Sequence, residues 1–180
     1  MNIVEPIRDK DDIQAMKDYL REWNERNYIL FLFGINSGLR VGDILKIRVK
    51  DVQGWYIKLK EQKTGKKKKI KMTKTLKREV REYIQNKPHH HFLFQSRVGK
   101  NKPLDRRTVD WILKVAASEC GIENIGTHSM RKTFGYHYYK CCYSIFSSVQ
   151  LDISYILSNS NSYIGIRQDQ QDKAMSNFGL

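Results

Sequence analysis

The sequence lacks the features that mark secreted and membrane-spanning proteins. Its three cysteines include the adjacent pair Cys141 and Cys142, which provides neither a disulfide framework nor the C-x-x-C spacing of a zinc site. No run of about 18 uncharged apolar residues is present, which a membrane-spanning helix needs. The amino terminus carries charged residues in place of the apolar core of a signal peptide. The sequence therefore predicts a soluble protein of the reducing cytoplasm.

Acidic residues are also scarce relative to basic ones. The chain has 19 Asp plus Glu against 33 Lys plus Arg, so its formal charge is +14 and its sequence pI is about 9.7. Such an excess points to a polyanionic partner. A length of 180 residues, of which 40% are apolar, suits one domain with a real core and argues against a disordered basic tail.

The positive charge is concentrated in one segment. Residues 58–78 hold ten Lys and one Arg against one Glu. Apolar residues alternate with polar ones on both sides of Lys63-Thr64-Gly65-Lys66, including Trp55, Ile57 and Leu59 before it, which is typical of two β-strands. The hairpin would present lysines to phosphates, or those lysines would only protect an exposed strand edge. The candidate DNA-binding residues are Lys58, Lys60, Lys66, Lys67, Lys68, Lys69 and Lys71.

Helical patterns predominate elsewhere. Asp11 and Asp12 open an amphipathic helix, and a more apolar helix runs from about Asn27 toward Gly38, where a glycine is suited to end it. Arg40 is thereby placed at a sharp corner before the next helix. Further helices are expected after the hairpin, from Asp105 and after Thr127. The predicted fold class is α+β: a mainly α-helical single domain with a small antiparallel β-sheet.

Three consecutive histidines, His89 to His91, precede a short apolar run. Their side chains would diverge in a strand or a helix and could not converge on one ion. We therefore expect no metal site there.

A set of motifs occurs in a fixed order along the chain. Gly38-Leu39-Arg40-Val41-Gly42-Asp43-Ile44-Leu45 is followed by the Lys-Thr-Gly turn of the hairpin, by His128-x-x-Arg131, and by Tyr163. Together these motifs resemble the tyrosine recombinases, the phage integrase family. The resemblance covers most of the chain, from about Val4 to Tyr139 and again from Ser162 to the end.

The resemblance implies site-specific DNA recombination without a metal or cofactor, by cleavage and rejoining of strands through a 3′-phosphotyrosyl intermediate. Arg40 and Arg131 would bind phosphate oxygens through their planar forks. Lys63 would protonate the departing 5′ oxygen, and His128 would be a hydrogen-bond partner and possible base. Tyr163 would be the nucleophile.

Physical chemistry sets demands on these assignments. A free phenol with a pKa of about 10 lies roughly 4 kcal/mol from its phenolate at neutral pH, so nearby cations are needed. Tyr136, Tyr138, Tyr139 and Tyr155 compete with Tyr163 by position, but the residues around Tyr163 match the context of the family's nucleophile.

Asp43 is expected to orient the corner that carries Arg40.

One segment departs from the family pattern. Residues 141–162 contain seven Ser and one charged residue, Asp152, and Ser154 occupies the position where the family usually has a histidine. A local change of reading frame, later restored, would produce this composition. We expect impaired cleavage, because a misplacement of about 1 Å can cost about 100-fold in rate, while DNA binding is retained.

Domain organisation and partners follow from the same resemblance. Residues 1–180 correspond to the catalytic domain, with no preceding core-binding domain, as in a short member or a fragment. Residues 164–180 form a tail that in relatives docks on a neighbouring subunit. The implied partners are double-stranded DNA and further copies of the chain, which in relatives form a tetramer on DNA. Binding to DNA in turn implies association with the nucleoid. The alternatives are a catalytically impaired DNA-binding module and, less favoured because of the short chain, a type IB topoisomerase.

Overall fold

Helices make up most of the part of the chain that the computed structural model describes, residues 4–60, 65–145 and 180. The elements in chain order are α1 (Lys10–Trp23), α2 (Glu25–Ser37), α3 (Val41–Ile44), a 3-10 helix (Val49–Val52), β1 (Tyr56–Lys60), β2 (Lys67–Lys71), α4 (Lys74–Ile84), α5 (Arg106–Glu119) and α6 (Thr127–Ile145). A mostly helical chain with one small antiparallel sheet confirms the predicted α+β class. None of the described helices is long and apolar enough to cross a membrane.

Helix α2 lies at the centre of the core. Every residue from Asn27 to Ser37 is buried, as its apolar character on all sides predicts. Helices α1, α4 and α6 pack around it. Asn24 separates α1 from α2, and its side-chain oxygen accepts a hydrogen bond from the Arg26 N–H at 3.0 Å, which caps the start of α2.

Two glycines allow α2 to approach α6 closely. Gly38 ends α2 in the left-handed region, with φ of 63°, as predicted. A Cβ at Gly38 would lie 2.4 Å from Cδ1 of Phe134, and a Cβ at Gly34 would lie 2.4 Å from Sδ of Met130. These contacts hold the end of α2 against the beginning of α6.

The two strands form the predicted antiparallel hairpin. Ile57 pairs with Ile70 and Leu59 with Lys68 on the face toward the core. The first strand begins at Tyr56, one residue later than the alternation suggested, and Trp55 is 52% exposed. The Trp55 carbonyl closes the base of the hairpin by accepting the Met72 N–H at 2.9 Å.

The segment before α1 is tied to α6. The Ile7 N–H donates to Oγ1 of Thr133 at 2.9 Å, and Nε2 of His137 lies 3.0 Å from the Ile7 carbonyl oxygen. Lys132 donates from Nζ to the Val4 carbonyl at 2.8 Å. These bonds fix the face of α6 that follows the His128-x-x-Arg131 motif.

Candidate catalytic site and lysine-rich hairpin

The corner between α2 and α3 presents Arg40. This residue occupies the N-cap position of α3 with extended backbone angles (φ −70°, ψ 142°). The Asp43 N–H donates to the Arg40 carbonyl at 2.9 Å, and the Asp43 side chain is buried, whereas Arg40 is half-buried. The left-handed turn at Gly38 followed by this extended residue directs the chain around the corner.

The first turn of α6 presents His128 and Arg131. These residues are three apart, so they share a face of the helix. Met130 projects toward α2, where it is 2% exposed and fills the space beside Gly34. His128 is exposed and Arg131 is half-buried. One face of this turn therefore packs on the core while the other faces outward.

Several positive side chains lower the pKa of His128. Although the residue is exposed overall, partial desolvation of its imidazole lowers the pKa of His128 below its ordinary value, and nearby positive charges lower it further. These cations are Arg106, Arg131, Lys132 and Arg40. The contact of Gly38 with Phe134 also sets the corner that carries Arg40 against the start of α6, so Arg40, His128 and Arg131 lie near one another. The lowered pKa leaves the imidazole mostly neutral at pH 7. We call Arg40, Arg106, His128, Arg131 and Lys132 the cation cradle.

Sequence reasoning missed two members of the cradle, Arg106 and Lys132. Nη2 of Arg106 lies 3.2 Å from Nε2 of His128. The sequence did carry one sign that Arg106 has a functional role. Arg106 and Arg107 stand in the first turn of α5, where the helix dipole disfavours cations. No short-range spacing links that turn to His128, so the contact itself required the folded chain.

Other predicted site residues lie outside the described residues. They are Lys63, Tyr163, most of the atypical segment and nearly all of the tail. Beside Lys63, Gly65 has a φ of 68°, as a tight turn requires.

The outward face of the hairpin carries most of the candidate DNA-binding lysines. The register pairs Lys58 with Lys69 and Lys60 with Lys67, and it pairs Tyr56 with Lys71. Nζ of Lys69 lies 4.0 Å from the centre of the Tyr56 ring. We call Lys58, Lys60, Lys67, Lys69 and Lys71 the lysine face.

The remaining candidate lysines lie elsewhere on the hairpin. Lys66 is exposed beside the turn. Lys68 is half-buried opposite Leu59 on the other face.

Within the described ranges, no group of three His, Cys, Asp or Glu side chains is placed to hold a metal ion. His90 and His91 contact each other edge to face, with ring centres 4.6 Å apart. The Arg48 guanidinium donates to the His90 carbonyl and lies over the Phe92 ring. The histidine run is thus part of the loop that leads from α4 to the core.

Comparisons with known proteins point to one family. The family model described as the phage integrase family matches residues 8–146. The chain is 44% identical over 185 residues to a probable integrase/recombinase, YoeC, of Bacillus subtilis, and the match covers 99% of each chain. It is 25% identical over 132 residues to the tyrosine recombinase XerA of Pyrococcus horikoshii, which covers 71% of this chain and 45% of that protein.

Solved structures share the fold. The crystal structure of lambda integrase (residues 75–356) bound to DNA superimposes with a TM-score of 0.66 at 17% identity, covering 96% of this chain and 61% of that one. The crystal structure of XerA recombinase gives a TM-score of 0.65 at 16% identity, covering 88% and 62%. The chain thus spans nearly all of the Bacillus relative and less than two thirds of these longer proteins.

Proposed function

Since this chain belongs to the phage integrase family, we propose that it cleaves and rejoins DNA strands at specific sites through a 3′-phosphotyrosyl intermediate on Tyr163. The observation that carries the proposal is the cation cradle. Arg40 and Arg131 are distant in sequence, yet the contact of Gly38 with Phe134 sets the Arg40 corner against the helix that carries Arg131, and both charges lower the pKa of His128. A site that gathers guanidinium groups around an imidazole is suited to hold a phosphodiester.

Each step of the reaction has a candidate residue. Arg40 and Arg131 donate to the non-bridging oxygens and stabilise the charge that develops on them in the transition state. The phenolic oxygen of Tyr163 forms a bond to phosphorus, and the bond from phosphorus to the 5′ oxygen breaks. Lys63 supplies the proton that the departing oxygen takes up. His128 is neutral at pH 7 and so has a lone pair to accept the phenolic proton.

The hairpin supports a role in DNA binding. Like charges directly opposite each other destabilise an antiparallel pair, and the register sets Lys58 against Lys69 and Lys60 against Lys67. A row of DNA phosphates alongside would relieve that repulsion. The same docking would bring the segment between the two strands, where the sequence places Lys63, toward the DNA backbone.

The test mixes the full chain with a library of nicked duplexes. Cleavage of a nicked duplex releases a short fragment that diffuses away, so the strand cannot be rejoined and the covalent adduct accumulates. We expect a protein–DNA adduct with the wild-type chain and none with Tyr163→Phe. Tyr136→Phe is the matched control, because it removes a phenol from α6 and keeps the ring that contacts His137. Equal adduct formation by wild type and Tyr163→Phe would contradict the proposal.

Lys63 is tested with a chemically altered substrate. A 5′-bridging sulfur leaves as a thiolate, which is a far weaker base than an alkoxide, as the pKa of about 8.5 of the cysteine thiol illustrates, and so it needs no proton donor. We expect Lys63→Ala to be inactive on the ordinary duplex and active on the sulfur-containing one. If both substrates remain uncleaved, Lys63 is not the proton donor.

A second candidate is favoured by the composition of residues 141–162, which have one charged residue. If this segment leaves Tyr163 out of line with the phosphate, the chain is a DNA-binding module that occupies sites without cutting them. That reading predicts salt-sensitive binding of duplex DNA and no adduct with any member of the library.

We also propose that several copies of the chain assemble on DNA. Crystal structures among the structural neighbours include a lambda integrase dimer bound to a COC′ core site. Sedimentation of the chain with and without a bound duplex tests this point. We expect more than one copy of the protein per duplex at saturation. A single bound copy at saturation would contradict assembly on DNA.

A further inference from the structure

Arg106, at the start of α5, is not among the residues that the family resemblance implies. We propose that Arg106 is a positioning residue: its guanidinium holds His128 as the Nδ1–H tautomer in the free protein and moves to a phosphate oxygen when DNA binds. The first half of this inference stands on the geometry alone. The second half rests on the proposed function.

The tautomer follows from the chemistry of the contact. Nη2 of Arg106 lies 3.2 Å from Nε2 of His128. A guanidinium has only N–H donors and stays protonated in proteins, so Nε2 must be the acceptor. An accepting Nε2 carries the lone pair, which leaves the ring proton on Nδ1.

Contacts between α5 and the start of α6 fix the position of the helix turn that carries Arg106. We call these contacts the α5–α6 clamp. Asp110 lies one turn after Arg106, and its Oδ1 accepts the Thr127 N–H at 3.2 Å, next to His128. Lys114 holds the same carboxylate at 2.7 Å. A Cβ at Gly126 would lie 3.0 Å from Oδ1 of Asp110, so the glycine allows the two helix starts to meet. The packing of the two helix starts therefore places Arg106 within hydrogen-bond distance of His128.

The charges around the contact favour its exchange for an anion. Among the described residues, the charges that shift the pKa of His128 are positive: Arg106 on α5, Arg131 and Lys132 on α6, and Arg40 at the α2–α3 corner. The nearby Asp110 carboxylate also attracts Arg106, but it is already bound by Lys114 and by the Thr127 N–H. Arg106 also stands in the first turn of α5, which has no acidic residue, and the side chain of Asp105 makes no capping hydrogen bond there. A phosphate brought to Arg40 and Arg131 offers Arg106 a charged acceptor in place of a neutral ring.

The exchange has a consequence for the chemistry. When Arg106 turns to the phosphate, the Nε2 lone pair is released to the Tyr163 hydroxyl, whose hydrogen bond to Nε2 replaces that of Arg106 and keeps the ring proton on Nδ1. Nε2 is then ready to take the phenolic proton of Tyr163, and the imidazole becomes imidazolium. Arg106 thereby couples the arrival of DNA to the availability of the base.

The first experiment observes the ring directly, on the full chain labelled with 15N at histidine. We expect the His128 signals of the wild type to report Nδ1–H, and those of Arg106→Ala to move toward Nε2–H. Arg107→Ala is the matched control, because it removes the same charge from the adjacent exposed position. An unchanged tautomer in Arg106→Ala, or an equal change in Arg107→Ala, would overturn the positioning role.

The second experiment measures adduct formation with the nicked duplexes. We expect Arg106→Ala to lose about 100-fold in the single-turnover rate, as for one donor removed from a charge-stabilising site, with little change in DNA affinity. A rate equal to that of Arg107→Ala would overturn the phosphate contact. If the wild type itself forms no adduct, the proposed function fails, while the tautomer measurement still decides the positioning role.

Discussion

The cation cradle and the lysine face both carry positive charge, but they are built in opposite ways. The cradle draws on three parts of the chain, which meet where glycines allow α2 to approach α6 and α5 to approach the start of α6. The lysine face comes from one short hairpin whose sheet has two strands. Charges that packing gathers at one place are suited to stabilise a transition state, and a row of lysines on a hairpin is suited to bind a polyanion. We therefore expect changes in the cradle to alter cleavage and changes in the lysine face to alter affinity.

The largest effect is expected for Arg40→Lys, which keeps the charge and removes the planar fork. The adduct-forming rate should fall by about 100- to 1000-fold, as for the loss of one charge-stabilising donor. DNA affinity should change little, because the charge remains. Single-turnover cleavage and gel-shift titration measure the two quantities separately. The same change at Arg97, in an exposed loop, is the control, and parallel losses of rate and affinity would contradict the division of roles.

Gly38→Ala should give the next effect, on the packing that forms the cradle. The new Cβ would lie 2.4 Å from the Phe134 ring in a residue whose φ is 63°. We expect a loss of about 2–4 kcal/mol in the free energy of unfolding, from overpacking added to backbone strain. Urea denaturation provides the measurement.

Gly121→Ala is the matched control for Gly38→Ala. Gly121 has a similar φ of 70°, but nothing lies within 4 Å of its would-be Cβ. Its substitution should cost only the strain of about 1 kcal/mol. Equal costs at the two positions would show that the α2–α6 contact is not tight.

Lys58→Ala combined with Lys69→Ala tests the lysine face. If each lysine contacts one phosphate, the slope of log affinity against log salt concentration should decrease by roughly 1.8, at about 0.9 per contact. The cleavage rate of the bound complex should be unchanged. The exposed loop lysines Lys100 and Lys102, changed together to alanine, are the control, and an equal loss of slope there would remove the special role of the hairpin.

The smallest effect concerns pH and His137, away from the cradle. Burial lowers the pKa of His137 below its ordinary 6.5, and Lys10 and Lys140 lower it further, against the raising effect of the Ile7 carbonyl. The unfolded chain therefore binds more protons once the pH falls below about 6.5. His137 thus makes the free energy of unfolding decrease as the pH falls from 6.5 toward its lowered pKa.

His137→Gln should reduce this dependence on pH, because glutamine keeps a donor and does not titrate. Urea denaturation between pH 8 and pH 5 gives the two slopes. At pH 8 the proteins differ only by the cost of the substitution itself. Parallel curves down to pH 5 would contradict the assignment.

Local rules accounted for much of the fold. The αL turn at Gly38, the hairpin and the start of α6 near Thr127 each follow from a few neighbouring residues. The alternation of apolar and polar residues placed Trp55 in the first strand with Ile57 and Leu59. The strand instead begins after Trp55, which is exposed. Local patterns predict elements well where one conformation is strongly preferred.

The candidate site could not be derived from local rules. Only the family resemblance linked Arg40 with His128 and Arg131, since their meeting depends on how α2 packs on α6. Arg106 had no such resemblance to reveal it, and its contact with His128 arises from the α5–α6 clamp. Long-range packing determines which charged side chains lie together, and the spacing of residues along the sequence does not predict that packing.

The pKa of His128 tests the meeting of the two arginines most directly. NMR titration of the full chain measures it in the wild type, in Arg40→Gln and in Arg131→Gln. Because both charges lower this pKa, removing either one should raise it. If Arg40→Gln leaves the pKa of His128 at the wild-type value, Arg40 does not share a site with His128, and the proposed phosphate-binding cradle is contradicted.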